Sequence, residues 1–213
     1  MRRPLQFGLL FLLAVSAARS QQIVDRIVAT VEGDLITWSE VRELGAFNRL
    51  TGQSQRSEPE LLQRLINQWI VTTEATASRF PASSQPQLEI AYNQLVAEFP
   101  SPDAYRARLR ELALDDAAVR RQLARQLFLA RYLDQKYRFL VRVEEPSIAA
   151  YYREEFLPRL QARGQKPPPL EAVREQVSEI LTQQEITRMA ERWLDESRAR
   201  LRIEPRLPEA GRP

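Results

Sequence analysis

The chain has 213 residues and a mass of 24.7 kDa; 44% of its residues are hydrophobic and 28% are charged, so it is sized for one or two compact domains of ordinary composition. It contains no Cys and no His, which excludes zinc sites built from these ligands, cysteine nucleophiles and histidine-dependent catalytic triads. Its six glycines lack the spacing of a dinucleotide-binding or P-loop turn, so we predict no cofactor.

Residues 1–20 have the pattern of a secretory signal peptide. Arg2 and Arg3 precede an apolar run from Leu5 to Val15, which is shorter than the roughly 20 residues of a membrane-spanning helix. Small residues follow and end at Ser20, so we expect cleavage near Ser20 and a periplasmic or otherwise exported protein. The alternative is an uncleaved amphipathic anchor.

The charge of the remaining chain is balanced. Removal of residues 1–20 takes away three arginines and no acid, which leaves 28 basic and 28 acidic residues. A nucleic-acid interface requires clustered positive charge without compensation. Six arginines do cluster between Arg106 and Arg125, but Glu111, Asp115 and Asp116 lie among them. We therefore predict a solvated helix face there and no nucleic-acid partner.

The first half of the chain predicts a hairpin followed by helices. A β-branched run that places Ile27, Ala29 and Val31 on one face, then Gly33 and a second short apolar segment, predict the hairpin. Capping boxes and apolar residues at helical spacing predict the helices. Their expected ranges are 38–49, about 58–78, a helix through Leu88–Phe99, 102–113 and 115 or 116 to 137.

The second half predicts a brief strand, a kinked helix and a long helix. Phe139–Val143 alternates as a strand would, and a helix follows Glu144 with a kink at Pro158. Residues 163–169 form a proline-rich connector. From Leu170 to Arg200 the apolar spacing of a single helix resumes, and Leu201–Pro205 is a candidate closing strand that pairs with the hairpin.

The predicted fold is mainly α, with a small N-terminal β-hairpin and a long C-terminal helix that packs back on the N-terminal helices. We expect residues 21–143 to form the N-terminal helical domain and residues 144–204 to complete the same core. Residues 205–213 are predicted to be a loose tail.

The segment from Ile23 to Val41 resembles the start of the SurA-type periplasmic chaperones, which are relatives of the parvulin prolyl isomerases. The shared features are the Val24-Asp25 strand start, the glycine-containing turn at Gly33 and the capped helix after Thr37. The resemblance extends more weakly to about residue 204. It implies a helical chaperone domain of the SurA N-terminal type.

Full-length members of that family carry a parvulin domain between the two helical segments. Here the seven residues 163–169 stand at that place, which leaves no room for such a domain. Parvulin-like sites also present His with Cys or Asp, and this chain has neither His nor Cys. The resemblance therefore implies the chaperone core without isomerase activity, and a link to peptidyl-prolyl isomerases by relationship only.

Three functions remain open: a non-catalytic exported chaperone, a structural or adaptor protein of the cell envelope, and an enzyme. We favour the chaperone, whose partners would be unfolded or nascent exported polypeptides without stable membrane insertion. An enzyme would depend on the carboxylate pairs Glu144-Glu145 and Glu154-Glu155 or on a Ser–Lys dyad at Lys136 or Lys166. Adjacent residues on a helix point about 100° apart and cannot flank one bond, so we predict no catalytic and no metal-binding residues.

A chaperone of this kind would bind unfolded chains on an apolar groove with aromatic anchors. Each candidate lies on a predicted helix, where an apolar side chain also serves the core. The candidate client-binding residues are Trp69, Tyr92, Leu95, Phe99, Tyr151, Tyr152, Phe156 and Trp193.

Overall fold

A computed structural model describes residues 25–206 of the chain. The expected signal peptide, residues 1–20, lies outside the described residues, and so do residues 207–213 of the expected tail. The described chain is mainly α-helical with one small sheet, as the sequence predicts.

The sheet has three antiparallel strands, β1 (Ile27–Val31), β2 (Asp34–Thr37) and β3 (Ile203–Pro205), in the order β2-β1-β3. The turn between β1 and β2 places Glu32 and Gly33 at φ 50° and 96°, a conformation that glycine adopts without strain. β3 pairs with β1, which confirms the expected closing strand and joins the two ends of the described chain. Because β1 is the central strand, four of its five residues are buried and not only alternate ones.

Five helices follow the hairpin and begin and end close to their predicted positions. Thr37 and Ser57 form capping boxes with Glu40 and Glu60, and these contacts fix the starts of the first two helices. The helices are α1 (Trp38–Leu50), α2 (Glu58–Ala77), α3 (Gln85–Ala97), α4 (Pro102–Leu112) and α5 (Asp116–Tyr137).

The predicted strand at Phe139–Val143 is wrong. The chain instead makes one turn of 3₁₀ helix at Arg138–Leu140 and then runs without regular structure to Glu144. Arg138 binds Asp134 one turn earlier in α5, with its Nε 2.9 Å from both carboxylate oxygens, and this contact favours continuation of the helical turn. A five-residue alternation is too short to outweigh it.

The kinked helix consists of α6 (Glu145–Tyr151), a π-helical turn (Tyr152–Phe156) and α7 (Leu157–Ala162). Pro158 has no N–H to donate, and the wider turn just before it accommodates that loss. Residues 163–169 then connect α7 to α8 (Leu170–Arg200), a 31-residue helix with the predicted boundaries.

The helix α8 packs against two different parts of the protein. Its first half covers α6 and the π-helical turn, where Val173 and Val177 are buried with Ile148 and Tyr151. Its second half packs against α5 and α2, where Leu194 joins the main core formed by the sheet, α1 and α2. The expected packing of the long helix on the N-terminal helices is therefore found in its second half, and the first half packs on α6.

Candidate functional site

The predicted client-binding residues on α3 and in the turn just after it pack against α4 around Tyr105. Leu95 is only 6% exposed, and the rings of Tyr92 and Phe99 lie edge-on to Tyr105 with centroid distances of 6.2 and 5.3 Å. The hydroxyls of Tyr92 and Tyr105 both donate to Oδ1 of Asp116, at 2.6 and 2.9 Å. Burial and these hydrogen bonds raise the pKa of Tyr105. In this position the three candidates stabilise the packing of α3 and α4.

Three further candidates lie where α6 and the π-helical turn after it meet the first half of α8. Tyr151 is buried in the small core beneath the first half of α8. The rings of Tyr152 and Phe156 are stacked with their centroids 6.0 Å apart, and the Tyr152 hydroxyl donates to the carbonyl oxygen of Pro168 at 2.6 Å. Tyr152 therefore fixes the proline-rich connector against the helices.

Trp193 belongs to a contact between α2, α5 and α8. The Nζ of Lys136 lies 4.5 Å from the centroid of the half-buried Trp193 ring and forms an ion pair with Glu74. The Tyr132 hydroxyl donates to Oε1 of Glu74 at 3.0 Å. Lys136 is thus held between a carboxylate and an indole ring, and it contacts no serine that would complete a Ser–Lys dyad within the described residues.

Trp69 lines a groove of about 440 Å³ between β2 and α2. Its Nε1 donates to Oδ2 of Asp34 at 2.8 Å, and Leu35 beside it is 55% exposed. The eight candidates therefore lie in four separate places and do not meet in one groove. Of the eight, Trp69 comes nearest to the predicted aromatic anchor, because it is partly exposed and lines the groove between β2 and α2.

A different apolar surface lies where α5 ends and α8 passes. Phe139 is 77% exposed and Leu140 is 51% exposed, the first being the most exposed large apolar side chain among residues 25–206. Leu140 also lines a concave surface of about 440 Å³. We call it the junction groove and define it by its apolar lining residues, which are Leu140, Val141, Val143, Leu181 and Met189.

The rim of the junction groove carries charges of both signs, from Arg142, Arg188 and Glu185. Arg188 and Glu185 form an ion pair with each other. A concave surface that combines apolar side chains with charges of both signs suits extended peptides of varied sequence, because the backbone and side chains of either charge find a partner there. Met189 adds a flexible side chain that adapts to different shapes.

The sequence contained a signal for this surface that the strand prediction concealed. The apolar stripe of α5 includes Leu133 and Tyr137, and Phe139 falls two residues after Tyr137, off that stripe. A large aromatic residue without a predicted buried face is a candidate for surface function. A strand would place the side chain of Phe139 on one side of a sheet, whereas the structure has a 3₁₀ turn there and exposes the side chain.

The charged residues singled out from the sequence are mostly engaged with one another. Glu145 pairs with Arg174, and Glu155 pairs with Arg159 at 2.6 Å. Four of the clustered arginines form ion pairs, as expected of a solvated helix face. These pairs are Arg106–Asp103, Arg108–Glu111, Arg120–Glu89 and Arg121–Glu43.

No cluster of three or more acidic residues positioned to hold a metal ion occurs within residues 25–206. In the same part of the chain, no helix combines the length and the apolar character needed to cross a membrane. No protein-family model matches the chain, and a search of curated proteins finds no significant match.

Proposed function

We propose that the chain is an exported, non-catalytic chaperone of the SurA-like type, which binds unfolded polypeptides reversibly on the junction groove. The observation that carries this proposal is the exposure of two consecutive large apolar side chains, Phe139 at 77% and Leu140 at 51%, of which Leu140 lines that groove. Large apolar side chains exposed at a concave surface are typical of a surface that binds another chain. The resemblance of residues 23–41 to the SurA-type chaperones supports the same function.

The mechanism is mass action. A protein that binds exposed apolar segments lowers the concentration of free unfolded chain, and aggregation slows because it depends on that concentration. Covering the exposed parts of Phe139 and Leu140 is worth about 3 kcal/mol together, a factor of roughly 100 in affinity. Contacts of this strength are readily reversed, so the cycle needs no nucleotide.

The proposal assigns no isomerase step to the protein. Between α7 and α8 the chain has only residues 163–169, with a left-handed turn at Gly164 and an extended run of prolines. We expect no acceleration of cis/trans interconversion in a proline-containing test peptide. Acceleration that persists after repurification would contradict the non-catalytic assignment.

The test is the aggregation of an unfolded outer-membrane-type protein, followed by light scattering with and without the mature chain and in the absence of nucleotide. We expect suppression at a near-stoichiometric ratio. Phe139→Ser and Leu140→Ser should each raise the protein concentration needed for suppression by about tenfold or less, and the double variant should raise it further. Because both side chains are exposed, these changes leave the fold intact.

Ile90→Ser is the matched control, since Ile90 is 58% exposed on α3 and does not line the junction groove. It should suppress aggregation as the unchanged protein does. If the unchanged chain fails at tenfold excess, the chaperone proposal is wrong and the envelope-adaptor function takes its place. If the double variant at Phe139 and Leu140 is as active as the unchanged chain, the junction groove is not the binding site.

A further inference from the structure

A cavity of about 470 Å³ lies where α1, the start of α2 and the loop between α4 and α5 meet. Four arginine side chains line it together with apolar residues, and we call it the arginine cavity. Its arginines are Arg42, Arg49, Arg56 and Arg121, and its larger apolar residues are Trp38, Val41, Leu61, Leu112 and Leu114.

Three of these four arginines have no acidic partner. Arg121 pairs with Glu43 at 2.9 Å. Arg42, Arg49 and Arg56 form no ion pair with any residue in the range 25–206 and are exposed. Other exposed arginines of the described chain also lack an ion pair, but these three line one cavity together.

The acidic residues near the cavity are largely committed to other contacts. Glu43 is held by its ion pair on α5, and Oδ1 of Asp115 accepts the N–H of Ala118 at 2.6 Å to cap α5. Glu60, which lies near Arg56, accepts the backbone N–H of Ser57 at 2.7 Å in its capping box. With the Arg121–Glu43 pair set aside, the lining holds three guanidinium groups against the carboxylates of Asp115 and Glu58, an excess of one positive charge.

Local packing brings positive charge together here. Gly45 has no side chain, and a Cβ at that position would lie 3.8 Å from Nη1 of Arg49 and 3.0 Å from Cδ1 of Leu61. Because Gly45 has no side chain, the side chain of Arg49 can lie along α1 beside it. Arg64 donates to the neutral Oε1 of Gln53 at 3.2 Å, and its burial and the nearby charge of Arg56 lower its pKa.

We infer that the arginine cavity binds a carboxylate adjacent to an apolar side chain in an extended polypeptide segment. Guanidinium groups bind carboxylates through paired N–H donors, so Arg42, Arg49 and Arg56 would hold the charge. The apolar lining around Leu61 and Leu114 would cover the neighbouring side chain. A free inorganic anion would leave this lining uncovered, and a flat bilayer surface cannot follow a concave one.

This site is separate from the junction groove and does not depend on the proposed chaperone function. The carboxylate has two possible sources, an acidic side chain or the C-terminus of the bound chain. Both offer the same chemistry to the arginines, so peptides must distinguish them.

The experiment measures binding of three fluorescent peptides to the mature chain by anisotropy at low salt. The first alternates leucine with glutamate and is amidated at its C-terminus, the second has glutamine in place of glutamate, and the third is the glutamine peptide with a free C-terminal carboxylate. We expect the first to bind and the second to bind at least about tenfold more weakly. Binding of the third identifies the C-terminus as a further source; equal binding of all three overturns the inference.

The location is tested with charge-matched variants. The triple variant Arg42→Gln, Arg49→Gln and Arg56→Gln should lower affinity for the acidic peptide at least about tenfold. A control triple removes three exposed arginines that form no ion pair among the described residues, namely Arg110→Gln, Arg153→Gln and Arg200→Gln. The affinity of the control triple for the acidic peptide should stay within about twofold of that of the unchanged protein. Both triple variants should melt at the same temperature as the unchanged protein, because all six positions are exposed. Equal weakening by the two triples means that binding follows net charge alone, which overturns the inference.

Discussion

Arg138, just after α5, forms a two-pronged ion pair with Glu179 in the first half of α8. Its Nη1 lies 2.8 Å from Oε2 of Glu179, and its Nη2 lies 2.7 Å from Oε1. Arg138 also binds Asp134, so a single guanidinium connects the N-terminal helices to the unit formed by α6, α7 and α8. Phe139 follows directly in the chain, so this contact fixes the backbone that presents the exposed ring.

The ion pair makes a pH-dependent contribution to stability. Hydrogen bonds from Arg138 lower the pKa of Glu179 from 4.5 to about 2. Because the folded-state pKa is lowered, the contribution is fully present above about pH 4.5, declines as the pH falls, and is lost below about pH 2. Both side chains are exposed, so the effect of Glu179→Gln at neutral pH should stay below about 1 kcal/mol.

Urea unfolding of the unchanged chain and Glu179→Gln at neutral pH and near pH 3 checks this prediction. The difference between their free energies of unfolding should shrink at the lower pH. Glu175→Gln is the control, since Glu175 is exposed on the same helix, no hydrogen bond or ion pair joins it to another described residue, and its replacement should have little effect. A difference for Glu179→Gln that is the same at both pH values would show that the ion pair contributes nothing through the charge of Glu179.

Trp193 should contribute substantially to the free energy of unfolding. The half-buried ring projects from α8, packs against the buried cluster of Tyr137, Ile186 and Ala190, and lies under Lys136. Replacing a fully buried Trp by Ala costs about 3 to 5 kcal/mol, so the half-buried ring predicts about 2 to 3 kcal/mol for Trp193→Ala. Urea denaturation measures it, with the exposed Glu191→Ala as a control expected within about 0.5 kcal/mol. A loss below about 1 kcal/mol for Trp193→Ala would mean that α8 is held mainly by other contacts.

The fold was largely predictable because its elements carry strong local signals. Thr37 and Ser57 begin helices through side-chain contacts only three residues away, and the 31 residues from Leu170 to Arg200 repeat one apolar spacing without interruption. These signals do not depend on distant residues. The strand at Phe139–Val143 failed because the outcome there depends on Arg138 and its partners on two helices.

The candidate site was less predictable, since helical spacing shows that a side chain has a buried face and does not show what covers it. Tyr92 and Tyr151 are as amphipathic as a groove residue would be, yet α4 covers the first and α8 the second. The arginine cavity is built from residues far apart in the chain. Arg42 and Asp115 lie more than 70 positions apart, so no local pattern brings them together.

The connection between the two halves of the described chain can be tested by cutting it at the connector. Gly164 is exposed at φ 68°, where an inserted protease site disturbs few contacts. After cleavage between Gly164 and Gln165, β3 still pairs with β1, and Nη1 of Arg198 still donates to Oδ1 of Asn67 across α8 and α2. The second half of α8 also keeps its apolar contacts with α5.

We therefore expect the two fragments to elute together in size-exclusion chromatography under native conditions and to separate only in urea. The uncut protein with the same insertion is the control for effects of the insertion itself. Deletion of residues 170–213 should prevent folding, because burial of each large apolar side chain on α8 is worth about 1.5 to 3 kcal/mol, against a total stability of about 5 to 15 kcal/mol. Clean separation of the cut protein into two folded pieces would show that residues 165–206 fold without the N-terminal fragment, so that α8 is not part of the N-terminal core.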